Sequence, residues 1–139
     1  MTGKGRRLSA ADYRHLAEFR FVLRRFLVFS EEAARAAGLA PQQHQALLAI
    51  KGFAEGGAPT IGDLAGQLVI KHHSAVGLVD RLVKSGLVKR QQDANDRRRV
   101  TLALTASGEK LLEGLSSAHH DELRMLTPSL KKLFAKLER

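Results

Sequence analysis

Apolar residues recur at helical spacing in two short segments near the middle of the chain. In the first segment they occupy positions i, i+3, i+4 and i+7, at Ile61, Leu64, Ala65 and Leu68. Thr60 and Asp63 have the spacing of an N-terminal capping box for this helix. After a turn at residues 69–71, the same apolar spacing returns at Ala75, Leu78, Val79 and Leu82. Two short amphipathic helices joined by such a turn predict a helix-turn-helix, and Gly86 ends the second helix.

Beyond Gly86 the pattern changes from helical to alternating. Residues 87–90 predict a short strand, and residues 99–104 predict a second strand with Val100, Leu102 and Leu104 on one face. The turn-forming residues 94–96 between them predict a β-hairpin. A basic hairpin next to a helix-turn-helix forms a wing. With a further helix at 42–54, which Pro41 starts, we predict a winged helix-turn-helix lobe over residues 39–105.

Long helices are predicted on both sides of this lobe. The first spans residues 9–37, with Ser9 and Asp12 at its start and Gly38 at its end. The C-terminal part, residues 106–139, is predicted as two helices separated at Thr127-Pro128.

The apolar stripe of the first helix is wider than one small domain needs. Its members are Leu16, Phe19, Val22, Leu23, Phe26, Leu27 and Phe29. The stripe can pack on the core of its own chain, but burial against a second subunit is the favoured interpretation. The predicted fold is therefore mainly α with a small β-hairpin wing. It is one domain over residues 1–139, with dimerisation helices at its N- and C-terminal ends.

Charge narrows the class of partner. The 139 residues carry a formal net charge of +9, with a pI near 10.5, which favours a polyanionic partner such as nucleic acid or an anionic membrane. The sequence contains no cysteine, which excludes disulfides and thiolate zinc sites. No apolar run is long enough to span a bilayer and no signal peptide is recognisable, so we expect a cytoplasmic location. The basic start, with Lys4, Arg6 and Arg7, is expected to be a solvated arm that can also touch phosphates.

Two motifs resemble one known family. Residues 78–88, Leu-Val-Asp-Arg-Leu-Val-Lys-Ser-Gly-Leu-Val, and residues 96–108, Asp-Arg-Arg-Arg-Val-Thr-Leu-Ala-Leu-Thr-Ala-Ser-Gly, resemble the MarR family of winged helix-turn-helix repressors. Residues 39–43 also resemble the family's entry to its second helix, and the similarity covers roughly residues 10–137. The resemblance implies a homodimer, paired through the first and last helices, that binds palindromic promoter DNA. It also implies release by a small effector, often aromatic or anionic.

The sequence departs from the family pattern in two respects. Gly77 stands where a larger, often polar or basic residue is common, and a glycine inside a helix costs about 1 kcal/mol relative to alanine. The cysteine of the family's peroxide sensors is missing, which excludes that mechanism.

The second helix of the helix-turn-helix is expected to lie in the major groove. The residues of this helix outside its apolar stripe are predicted to face outward. This outward set is Lys71, His72, His73, Ser74, Val76, Gly77 and Arg81. Arg81 can pair with guanine or phosphate, Val76 can touch a thymine methyl, and Gly77 can allow close approach to the groove floor. In the wing, the resemblance implies that Asp96 orients Arg98 for insertion into a narrow minor groove. Arg97 and Arg99 are expected to contact phosphates.

Effector and metal sites are less defined by the sequence. Tyr13, His15, Phe19 and His44 are the candidate effector contacts, and each is also explained by ordinary packing. His72-His73 and His119-His120 raise the alternative of a zinc site shared with another subunit, although a solvated helix surface is the preferred interpretation. We expect no metal and no cofactor.

The leading function is a sequence-specific transcriptional regulator, most simply a repressor that a small effector releases. The alternatives are a non-specific architectural DNA-binding protein and a membrane-surface or protein-interaction module. No nucleophile–base arrangement or phosphate loop indicates an enzyme.

Overall fold

The computed structural model describes residues 7–138, so Lys4 and Arg6 of the basic arm lie outside the described residues. The element order is α1 (Ala10–Ala36), α2 (Pro41–Gly52), a 3-10 turn (Ala54–Gly56), α3 (Ile61–Leu68), α4 (His72–Lys84), β1 (Val88–Gln92), β2 (Val100–Leu104) and α5 (Ala106–Leu137). The chain divides into two compact units. One is Glu31–Ser117, called here the winged unit, and the other, the α1/α5 unit, comprises the described parts of Met1–Ser30 and Ala118–Arg139. The division falls inside both long helices.

The predicted helix starts are present as hydrogen-bonded caps. Thr60 N–H donates to Asp63 Oδ2 at 3.0 Å, and Asp63 N–H donates to Thr60 Oγ1 at 3.1 Å. Ser9 and Asp12 make the same reciprocal pair at 2.9 and 3.2 Å. Each pair satisfies backbone donors that a helix start leaves without partners. Gly86, with φ 75°, ends α4 as predicted.

The core of the winged unit consists of the predicted apolar stripes. Its largest fully buried side chains are Leu47, Ile50, Leu64, Leu78, Leu82, Leu102, Val79 and Val88. The strands pair antiparallel, and Leu102 N–H also donates to the Pro59 carbonyl at 2.8 Å, so β2 is fixed to the segment that enters α3. Val100 pairs with Gln92 at the outer end of the hairpin and stays 42% exposed, unlike Leu102 on the same predicted face.

The turn between α3 and α4 contains an unusual backbone conformation. Val69 has φ 55° and ψ 48°, the left-handed region that β-branched residues rarely adopt. Its side chain is 88% exposed, so little packing compensates for this conformation.

The predicted helix break at Thr127-Pro128 is wrong, because α5 continues through Pro128 to Leu137. Proline lacks the N–H that would bond to the carbonyl of Arg124. Thr127 Oγ1 donates to the Leu123 carbonyl at 2.9 Å, which keeps the neighbouring turn bonded. The C-terminal half is also held by packing, since Leu133 is 3% exposed.

In the α1/α5 unit, aromatic residues of α1 contact α5. The rings of Phe19 and Phe134 lie 6.3 Å apart. His119 was expected on a solvated surface but is half-buried, with its ring edge-on to Phe26 and Phe29 and its Nε2 2.8 Å from Ser30 Oγ. The side chains at 26, 29, 30 and 119 contact one another because α1 and α5 lie side by side here.

None of the helices described in residues 7–138 combines the length and the apolar character that a membrane-spanning helix requires.

Candidate nucleic-acid interface

The recognition helix α4 buries one face and exposes the other. Ala75, Leu78, Val79 and Leu82 are buried, which fixes the helix on the core. Of the predicted outward set, Val76 and Gly77 are half-buried, and the exposed members are Lys71, His72, His73, Ser74 and Arg81. Lys71 occupies the N-cap position and offers no side-chain acceptor to the first turn. The backbone N–H groups of that turn can therefore donate to phosphate oxygens.

Gly77 and Arg81 form a local pair on this face. A Cβ at Gly77 would lie 3.5 Å from Nη1 of Arg81, an ordinary contact distance. The guanidinium of Arg81 thus lies back along the helix over the glycine. A larger residue at 77 would share this space with Arg81, so the glycine bears on where the arginine lies as well as on how closely the helix can approach a groove.

The wing carries an oriented and exposed arginine. Asp96 Oδ1 accepts from the backbone N–H of Arg98 at 3.0 Å and from its Nε at 3.5 Å. The side chain of Arg98 remains 93% exposed. This is the pairing that the family resemblance implies, and it leaves the guanidinium Nη atoms able to enter a groove.

Arg99 has a different environment from Arg98. Its Nε lies 3.2 Å from Asp93 Oδ2, and its Nη2 lies 3.7 Å from Asp63 Oδ2. The expectation that Arg99 serves phosphates did not include these two carboxylates. Sequence spacing could not reveal the contact with Asp63, because the two residues are far apart in the chain and meet only when the hairpin packs beside α3.

A separate ion pair joins the hairpin to α4. Arg90 on β1 donates to the Asp80 carboxylate on α4. Sequence analysis assigned no role to either residue, because a spacing of ten residues between a helix and a strand does not show that the two side chains meet. The pair fixes the wing to the helix that carries the outward set.

The carboxyl group of Asp63 is electrostatically perturbed. The backbone N–H of Thr60 lowers the pKa of Asp63 below its ordinary value of 3.8. Partial burial opposes this effect, whereas the Thr60 hydroxyl and the charge of Arg99 add to it. Asp63 therefore stays ionised at neutral pH, where it both caps α3 and contacts Arg99.

Comparisons with known proteins point to one protein family. The sequence model of the MarR family matches residues 37–99. The HTH-type transcriptional regulator FarR of Neisseria gonorrhoeae is 48% identical over 64 residues, which are 46% of this chain and 44% of that protein. The uncharacterized HTH-type transcriptional regulator YcgE of Bacillus subtilis is 35% identical over 97 residues, which are 70% of this chain and 61% of that protein. Residues 37–99, which include α4, β1 and most of the wing, thus have the sequence of a MarR-family winged helix-turn-helix.

The extent of these similarities differs between sequence and fold. The chain spans about half the length of the curated relatives it matches, from 44% to 61%. The structure of an S. aureus MepR–DNA complex superposes with a TM-score of 0.69 at 21% identity, over 95% of this chain and 96% of that one. The MarR fold thus extends over the long flanking helices as well as the winged unit.

The candidate effector residues are divided between the two compact units. Tyr13 and Phe19 are exposed and His15 is half-buried, all on the α1 part of the α1/α5 unit. His44 is 3% exposed in the winged unit. Among residues 7–138, no three His, Asp or Glu side chains are grouped so that they could hold a metal ion.

Proposed function

We propose that this chain is a sequence-specific, double-stranded DNA-binding transcriptional regulator that acts as a homodimer. One observation carries the proposal. The winged unit has an exposed face on α4 and also an exposed arginine, Arg98, on a wing that an ion pair joins to that helix. The net charge of +9 adds long-range attraction to phosphates. In this arrangement α4 enters the major groove, Arg98 enters the adjacent minor groove, and Arg97 contacts the backbone.

The related proteins support this function. FarR is named a transcriptional regulator, and MepR has been crystallised with DNA. No catalytic role is part of the proposal. Promoter DNA in bacteria, the source of these relatives, lies in the cytoplasm, and we propose that location for this chain.

Exposed apolar surface supports the homodimer. Five large apolar side chains of α1 are more than 40% exposed in the single chain: Leu16, Phe21, Leu23, Leu27 and Val28. On α5, Met125 is 76% exposed and Phe134 is 46% exposed. A second copy that covers these faces would bury apolar area that contributes roughly 25 cal/mol per Å². Pairing of two copies would also present two wings and two α4 helices to a palindromic site.

We also propose that a small effector regulates the chain. An open pocket of about 480 Å³ in the winged unit is lined by Ala37, Ser107, Lys110, Leu111, Gly114 and Leu115. The lining is mostly apolar with one cation, which suits a small aromatic acid. Binding of such a ligand would favour one conformation and release DNA, which is the behaviour of a repressor. A thermal-shift screen with aromatic acids tests this part.

The DNA-binding proposal is tested by selection from a randomised duplex library. The full chain is incubated with the library, bound duplexes are sequenced, and the affinity for the enriched duplex is compared with a scrambled duplex of equal length at fixed salt. We expect an enriched palindrome bound at least about 10³-fold more tightly than the scrambled duplex. Equal affinity for both would instead favour the non-specific architectural protein. An absence of binding to either at low salt would refute both functions.

A further inference from the structure

The side chain of Arg99 is held between two parts of the winged unit. Asp93, 3.2 Å away, belongs to the wing, whereas Asp63, 3.7 Å away, lies in the first turn of α3. Arg99 therefore joins the wing to the helix-turn-helix through one guanidinium. Its fork of N–H donors suits two carboxylates better than a lysine would.

Both carboxylates are themselves fixed, so Arg99 contacts a rigid pair. Asp93 Oδ1 accepts from Asn95 N–H at 2.9 Å, and its Oδ2 faces Arg99. Asp63 Oδ2 accepts from Thr60 N–H at 3.0 Å, which holds it in the cap of α3. Because these partners are already ordered, the contact restricts the wing rather than two loose side chains.

The neighbouring arginine differs in a way that separates their roles. Arg98 is 93% exposed and contacts one carboxylate, that of Asp96, whereas the side chain of Arg99 is 47% exposed and contacts two. Two negative charges beside Arg99 weaken its attraction for a phosphate. The same contacts fix the position of the segment that carries Arg98.

We propose that Arg99 is a positioning residue that acts through Arg98, holding the wing against α3 so that Arg98 meets the minor groove. This inference rests on the proposed function, that the chain binds duplex DNA. It replaces the expectation that Arg99 contacts phosphate. Arg99 has this effect through its ion pairs with Asp63 and Asp93.

The first test measures how much Arg98 contributes in two backgrounds. Affinity for the enriched duplex is measured by fluorescence anisotropy for the wild type, Arg98→Ala, Arg99→Gln and the double variant. In the wild-type background, Arg98→Ala should weaken binding by roughly 5- to 140-fold. In the Arg99→Gln background the same change should cost less than about threefold, because a displaced Arg98 no longer makes its contact. Equal costs in both backgrounds would overturn the proposal.

The second test uses the sign of a charge change and the salt dependence. Asp63→Asn keeps an oxygen that can accept from Thr60 N–H but removes the charge that holds Arg99. If Arg99 contacts phosphate, this variant should bind DNA more tightly, and Arg99→Gln should reduce the slope of log affinity against log salt by about 0.9. If Arg99 positions the wing, Asp63→Asn should bind more weakly, and adding Arg99→Gln to Arg98→Ala should leave the slope of Arg98→Ala unchanged, because Arg99 itself contacts no phosphate.

A matched variant in the same wing calibrates the salt measurement. Arg97→Gln removes the same charge from a residue proposed to contact phosphate, so its slope should fall by about 0.9. Thermal melting of each variant establishes that it is folded. A wild type that binds no duplex would refute the proposed function itself. A wild type that binds, with additive Arg98 and Arg99 effects, would overturn only the positioning role.

Discussion

Gly108 lies where α5 meets the backbone at the start of the hairpin, and this contact predicts a large effect of one methyl group. A Cβ at Gly108 would lie 2.1 Å from the carbonyl oxygen of Leu87, whereas real Cβ contacts essentially never fall below 3.0 Å. The obstacle is backbone, so no side-chain rotation relieves it. That same carbonyl accepts from Thr105 N–H at 3.0 Å, so α5 cannot move away without straining this hydrogen bond.

The magnitude of the Gly108→Ala effect follows from opposing terms. Overpacking in a tight contact costs about 1–3 kcal/mol, and weakening the Thr105 hydrogen bond costs about 1 kcal/mol. Replacing a helical glycine by alanine returns about 1 kcal/mol. We expect Gly108→Ala to lower the free energy of unfolding by roughly 1–3 kcal/mol.

The matched control lies on the same helix. Gly114 has nothing within 4 Å of its added Cβ, so Gly114→Ala should raise stability by about 1 kcal/mol. Urea denaturation of both variants is measured at one protein concentration, because the stability of the proposed homodimer depends on that concentration. A Gly108→Ala variant as stable as Gly114→Ala would show that the reasoning from this contact is wrong.

Three further predictions concern stability. Leu47→Ala should lower the free energy of unfolding by about 2–5 kcal/mol, because Leu47 is fully buried, and denaturation measures it. Val69→Gly should raise thermal stability, by on the order of 0.5–1 kcal/mol, since glycine relieves the left-handed strain; an unchanged or lower melting temperature would contradict this. The pKa of Asp63 is lowered on folding, so its stabilising contribution is present above the ordinary value of 3.8 and is lost as pH falls below it. Asp63→Asn should accordingly lose less stability than the wild type between neutral pH and acid.

Elements governed by local chemistry could be predicted from the sequence. The Thr60–Asp63 cap depends on residues three apart, and the predicted hydrogen bonds are present. The buried stripe of α4 follows from helical period alone, and Leu78 and Leu82 are buried as predicted. Strand pairing was recognisable because the turn and the alternation agreed.

Features set by packing between distant segments could not be predicted in this way. Pro128 is an accepted helix breaker, but the helix continues because both of its halves are held by neighbours. His119 was expected at the surface, yet its ring contacts Phe26 and Phe29 across α1. The Arg99 contact with Asp63 also depends on how the hairpin packs, and no spacing in the sequence encodes it.

In the proposed function, α4 and Arg98 of two paired chains bind one DNA duplex. This binding is measured by an anisotropy titration of the enriched duplex with the wild type, Arg98→Ala and Lys131→Ala. The last variant makes an equal charge change at an exposed α5 position. We predict saturation at two chains per duplex, a loss of about 1–3 kcal/mol for Arg98→Ala, and a much smaller loss for Lys131→Ala. Saturation at one chain per duplex, or superimposable curves for the wild type and Arg98→Ala, would refute this mode of binding.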